Sequence, residues 1–144
     1  MNTLSQSWLL WACLAAVFAA LTAVLAKVGV ADINSNFATF LRTLVVVAAL
    51  GLLVTATGQT EDLRTIPPRT LWFLALSGLA TGASWLCYFR ALQLGKASQV
   101  APIDKLSVVF VALIAALFLG ERLSPMGWGG VALIGLGAAL VAIA

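Results

Sequence analysis

Histidine is absent from this 144-residue chain, and its only acids are Asp32, Glu61, Asp62, Asp104 and Glu121. Of these, Asp104 alone falls within a long apolar stretch. With no histidine, one such acid and no nucleophile beside an evident base, the chain lacks the equipment of acid–base or covalent catalysis, and no enzymatic activity is expected. Cysteine is scarce too. Cys13 and Cys87 both sit inside apolar stretches without metal-ligand spacing, so they read as small packing residues and no metal or other cofactor is expected. Long polar segments are missing: the longest runs about a dozen residues, Gly58 to Arg69, which leaves no room for a soluble domain. Charged residues make up 9% of the chain, and although the net charge is +3, the basic residues are scattered without a cluster. That dispersal excludes a nucleic-acid-binding surface.

What the chain has instead is apolar length. Hydrophobic residues make up 62% of it and mean hydropathy is +1.09, far outside the range of soluble domains. Uncharged runs cover Met1 to Ala26, Thr43 to Thr60, Thr70 to Phe89, Leu106 to Gly120 and Leu123 to Ala144. Most approach the ~20 residues a helix needs to cross a bilayer. The fourth, of 15 residues, is too short alone, so its helix must reach back through Lys105 and Asp104 toward Gln99. The expected fold is an all-α integral membrane protein, one domain over residues 1–144, multi-pass in the inner (plasma) membrane. Its five helices are expected at about Ser7 to Val28, Asn36 to Thr57, Thr70 to Leu94, Gln99 to Gly120 and Pro125 to Ala144. The start, MNTLSQSWLLWACLAAVFAA, has an apolar run ending among small residues but no basic n-region, and it reads as a retained first helix rather than a cleaved signal.

Local punctuation supports these limits. GQTEDLRTIPPRT combines Gly58, an acidic pair and Pro67-Pro68, a turn between two helices. Ser124 is a natural N-cap and Pro125 a natural first helical residue. Pro102, early in the fourth span, is either accommodated in a first turn or breaks the helix beside Asp104. An up-and-down path gathers Lys27, Arg42, Arg90, Asp104 and Lys105 toward one end, four positive charges and one negative. Ionisable groups at such depth are expensive in lipid and mark a solute pathway or a specific pairing. Orientation is weakly specified. Arg64, Arg69 and Arg122 stand on one side, Lys27 and Lys96 with the helix-end charges on the other. Dual insertion follows as an expectation, and with it an antiparallel homodimer that assembles an inverted pair from two copies.

At 100° per residue the helical faces separate. In the third span Ser77, Thr81, Ser84 and Tyr88 share a stripe that either lines a polar cavity or bonds to neighbouring helices. Beside it Gly78 and Gly82 precede Trp85 and Phe89 on a face suited to close packing, with Trp85 near mid-span as a packing residue or cavity wall. Arg90 lies about 200° from the hydroxyl stripe, which favours snorkelling to the interface. Lys27 shares a face with Cys13, Ala16, Ala20 and Ala23, and Lys105 with Ala101, Ala112 and Ala116, so both point toward other helices. There they either line a cavity or pair with Asp104. Arg42 shares its face with Ala38, Ala49, Val45 and Leu53, and its direction stays open. In the last span Ala132, Gly135, Ala139 and Ala142 form a small-residue seam suited to tight association.

Three stretches carry a family resemblance: SNFATFLRTLVVV at 35–47, SGLATGASWLCYFRALQLGKAS at 77–98, and VAPIDKLSVVFVALIAALFLGERLS at 100–124. With the five-span layout they resemble one EamA repeat of the drug/metabolite transporter superfamily, over essentially the whole chain. Typical members carry two such repeats in opposite orientation, so the resemblance implies an inverted partner, here a second copy, and alternating access through a cavity between the two units. The four-helix small multidrug resistance relatives use a carboxylate in the first helix, which this chain lacks.

The expected function is therefore secondary transport of a small polar metabolite, anionic or zwitterionic given the surplus of positive charge. Arg42, Lys105 and Lys27 are the expected anion-attracting groups. Asp104 pairs with a lysine or takes a proton, Ser84 and Tyr88 supply neutral hydrogen bonds, and Trp85 supplies a wall. The expected partners are the solute, the lipid bilayer and a second, antiparallel copy. The alternative is an accessory membrane subunit whose glycine seams and charge pairs serve assembly only.

Overall fold

The computed structural model describes residues 7–143, and every regular element among them is helical. In order these are α1 (Trp8–Gly29), α2 (Ser35–Ala56), α3 (Pro68–Leu94), α4 (Ala97–Asp104), α5 (Ser107–Ile114) continued by a π-wound turn (Ala115–Leu119), and α6 (Pro125–Ile143). Taking α4 through the π turn as one path, five helices are long and apolar enough to cross a membrane. Expected and observed limits differ by up to two residues at each end. Ala144, the expected last residue of the fifth span, lies outside the described residues, as do Met1 to Gln6.

The helix ends follow from local chemistry. Asn34 caps α2, its side-chain oxygen accepting from the backbone N–H of Asn36 (2.9 Å) and Phe37 (3.3 Å), which satisfies two of the donors a helix start leaves open. Ser124 does the same for α6, accepting from Gly127 N–H at 3.1 Å with Pro125 as the first helical residue. The fourth span is interrupted twice. Pro102 has no N–H to donate to the Ser98 carbonyl, and from three residues on the chain turns to shorter bonds: Lys105 N–H donates to Pro102 at 3.1 Å, Leu106 N–H to Ile103 at 2.9 Å and Val108 N–H to Lys105 at 3.0 Å. The break therefore falls at Lys105 and Leu106, beside Asp104. At the far end Gly120 adopts φ +69° and Glu121 N–H reaches back to the Ala115 carbonyl at 3.1 Å. That bond spans one residue more than the 6→1 bond of an ordinary Schellman cap, as a π-wound last turn requires.

The described residues form two compact units. One comprises the chain up to Ala26 together with Leu94 onward. Within it α6 packs on α4 and α5, and Gly135 allows a close approach, since a Cβ there would lie 3.3 Å from a Val109 methyl. The packed face of α6 runs through Gly127, Val131, Gly135, Ala138 and Ala142, leaving Ala132 and Ala139 exposed. The small-residue seam is thus displaced from its expected phase. The other unit runs from Lys27 to Gln93 and holds the end of α1, α2 and α3. Its buried residues are Val30, Ser35, Ala38, Thr39, Phe89 and Leu92. Large apolar side chains are exposed along every span, a surface suited to lipid rather than water.

Candidate functional site

Within the Lys27–Gln93 unit, α2 carries its buried residues at Ser35, Ala38 and Thr39, and the same face continues one turn on to Arg42. Thr39 and Thr43 do not compete for its guanidinium. Their hydroxyls donate to the carbonyls of Ser35 and Thr39, both at 2.8 Å. Arg42 is thereby set about 10 Å along the helix axis from Ser35, seven residues at 1.5 Å each. Its guanidinium carbon lies 4.0 Å from the Trp85 ring centroid and 5.6 Å from that of Phe89. Those two aromatics stand four residues apart on α3, one above the other. Phe89 is buried and Trp85 half-buried, and half-buried Tyr88 lies within electrostatic reach of the arginine.

A guanidinium is planar and weakly hydrated for a cation, so an aromatic face suits it. A cation–π contact contributes about 0.5–1 kcal/mol when exposed and about 2 when desolvated. Stacking satisfies none of its N–H donors, however. Nη1 of Arg42 is buried and has no hydrogen-bond partner. A charged donor left in that state costs about 1–3 kcal/mol or more, so the position is chemically unfinished.

The other cations of this unit's helix ends are engaged. Lys27 donates from Nζ to the Leu92 carbonyl at 2.6 Å, answering one of the acceptors that the last turn of α3 leaves open. Arg90 donates from Nη1 to Gln93 Oε1 at 2.7 Å. Gln93 in turn donates from Nε2 to the carbonyls of Ile33 (3.0 Å) and Val30 (3.3 Å). The ends of α1 and α3 are thus tied through the segment between α1 and α2. Gln93 and Phe89 are the residues that sequence reasoning passed over as site partners. A helical i, i+3 spacing links Arg90 to Gln93 and was readable; Gln93's bonds to a segment 60 residues away were not.

The hydroxyl row of α3 divides. Ser77, Thr81 and Ser84 are exposed, and the Thr81 hydroxyl donates to the Ser77 carbonyl at 2.9 Å. Asp104 and Lys105 belong to the other unit. There they pair with each other at 3.2 Å beside the break in the fourth span, with side chains 36% and 55% exposed. Partial exposure makes this a weak pair by itself. Among the described residues no three His, Cys, Asp or Glu side chains gather as a metal site would require.

Comparison with known proteins agrees with this architecture. The EamA-like transporter family matches over residues 6–143. A Sinorhizobium protein described as an uncharacterized transporter in the cobO 3′ region is 62% identical over 140 residues, 97% of this chain and 99% of that one. An uncharacterized transporter from Vibrio cholerae serotype O1 is 33% identical over 76 residues, 51% of this chain but 25% of its own. No solved structure matches significantly. A family match from end to end and a full-length relative at that identity lead to one conclusion: this multi-pass integral membrane protein belongs to the EamA-like transporter family.

Proposed function

We propose that this protein is a secondary transporter of a small polar metabolite, anionic or zwitterionic, working by alternating access in the inner membrane. The observation that carries the polarity of the solute is the half-buried Arg42 guanidinium, set over the Trp85 ring with its Nη1 enclosed and lacking any acceptor. An anionic group arriving there would complete it, and its removal would leave it incomplete again, which suits binding that must be reversible. Trp85 and Phe89 wall this position, with Tyr88 beside it. Lys27 strengthens the local positive potential while holding the end of α3. In the other unit, Asp104 and Lys105 flank the interrupted fourth span. Discontinuous helices at membrane depth accompany ion and substrate sites in many transporters. Asp104 is the group proposed to exchange its lysine for a proton during the cycle, and Ser84, exposed on α3, would offer a neutral hydrogen bond.

The working form is proposed to be an antiparallel homodimer inserted in both orientations. Support comes from the near-even distribution of basic residues and from the Vibrio relative. One aligned stretch is 51% of this chain and 25% of that one, so that protein is about twice as long, with room for two such units. Reconstitution into proteoliposomes tests the reading. Currents on solid-supported membranes should follow additions of organic anions, and Arg42→Ala with Lys105→Ala should abolish them. Currents undiminished in that double variant would overturn the assignment of roles, and a stable heteromer without homodimer on crosslinking in lipid would return the accessory-subunit reading.

A further inference from the structure

The geometry around Arg42 points to one chemical class: we infer that the solute is recognised through a single carboxylate, held edge-on by the Arg42 guanidinium while its flat face rests on Trp85. This rests on the transport reading for its purpose, but not for its geometry.

Two observations carry it. The first is which part of the guanidinium is taken. With its carbon over the Trp85 ring at 4.0 Å from the centroid, the ion is packed against indole, and Phe89 stands further along the same helix at 5.6 Å. Neither ring supplies an acceptor to the N–H fork that lies in the plane of the ion, and its enclosed Nη1 has none. An in-plane fork matches the two oxygens of a carboxylate, the pairing that arginine makes most strongly.

The second observation is charge. Within this unit Lys27 and Arg90 keep their charges but spend N–H bonds on the Leu92 carbonyl and on Gln93, so Arg42 is the cation set on the Trp85 and Phe89 rings. Phosphate would also fit the fork. At neutral pH, though, it brings close to two charges against the single guanidinium set on Trp85 and Phe89, and the excess would lie beside apolar rings, an expensive arrangement away from water. A neutral solute would leave the guanidinium charge unbalanced, and a cation would be repelled by it.

The test is binding by isothermal titration calorimetry, with the whole protein in lipid nanodiscs at pH 7.5 and acetate, benzoate, inorganic phosphate and choline as probes. Acetate and benzoate should bind, phosphate and choline should bind more weakly or not at all, and Arg42→Lys should bind the two carboxylates roughly tenfold or more weakly. Lysine keeps the charge at this position but not the fork, so the variant isolates the geometry from the polarity. Phosphate binding as tightly as benzoate, an Arg42→Lys variant unchanged in affinity, or no binding of either carboxylate would each overturn the inference. Counterflow of labelled benzoate in proteoliposomes separates the two readings. Binding without protein-dependent flux would sink transport of the carboxylate and leave the recognition geometry standing. Protein-dependent flux of choline without carboxylate binding would sink the geometry and leave transport standing.

Discussion

Replacing Arg42 with methionine, and separately Lys27 with methionine, distinguishes a cation kept for a ligand from a cation kept for the fold. At Arg42 the loss is the contact with Trp85, about 1–2 kcal/mol at a half-buried site. Against it stands relief of a buried charged donor that has no acceptor, about 1–3 kcal/mol. Methionine also restores an apolar stem with a favourable sulfur–aromatic contact of about 0.3–1.5 kcal/mol. The two gains outweigh the loss, so Arg42→Met should be about 1 kcal/mol more stable than the parent. Lys27→Met instead removes a 2.6 Å bond to the Leu92 carbonyl. Hydrogen bonds to charged groups contribute about 1.5–3 kcal/mol in water and less between membrane helices, so a loss of about 1–2 kcal/mol is expected. The assay is unfolding by SDS titration in mixed micelles followed by circular dichroism, with benzoate binding measured on both variants. Arg42→Met should be at least as stable as Lys27→Met and fail to bind, while Lys27→Met should bind once refolded. A loss above about 2 kcal/mol in Arg42→Met would mean that its guanidinium is a structural keystone, and the reasoning from the unsatisfied nitrogen would collapse.

Other substitutions probe the scaffold. Gly120→Ala meets open space but must hold φ +69°, so it should cost about 1–2 kcal/mol by backbone strain alone, read from the same titration. Ser124→Ala removes the cap on Gly127 N–H and should cost about 1 kcal/mol, with faster amide exchange confined to the first turn of α6. Pro102→Ala returns a donor to the Ser98 carbonyl and should slow amide exchange at Leu106 and Ser107; unchanged exchange there would show that the break has another cause. Two lysines added between Gly58 and Arg69 should drive insertion to a single orientation, scored by accessibility of a reporter cysteine, whereas a distribution that does not move would argue against dual insertion.

Much of the architecture was readable from composition and punctuation. A bilayer demands about 20 apolar residues per helix and strands every unpaired backbone group, so the count and approximate limits of the spans follow from where charges interrupt apolar runs. The Ser124-Pro125 start follows from chemistry confined to a few residues. The Asn34 cap is equally local, its side-chain oxygen accepting from donors two and three residues on. Pro102 marked a weak point in the fourth span, but whether the helix bends or breaks depends on the carbonyls of the preceding turn, and the interruption appears only where the shorter bonds are seen.

The sequence alone determined that this chain is helical, spans a membrane and carries a few costly charges near the ends of its helices, because each of these is a matter of residue type and of spacing along one helix. Tertiary structure decided what those charges do. Arg42 had an ambiguous face until α3 placed Trp85 beneath it, Lys27 had a packing face but no partner until Leu92 offered its carbonyl, and Gln93 had no role until the segment after α1 came within reach. The physical reason is that a cation's cost in lipid is set by its nearest acceptor. For residues more than 40 positions apart in the chain, such as Arg42 and Trp85, that distance is fixed only when the helices meet.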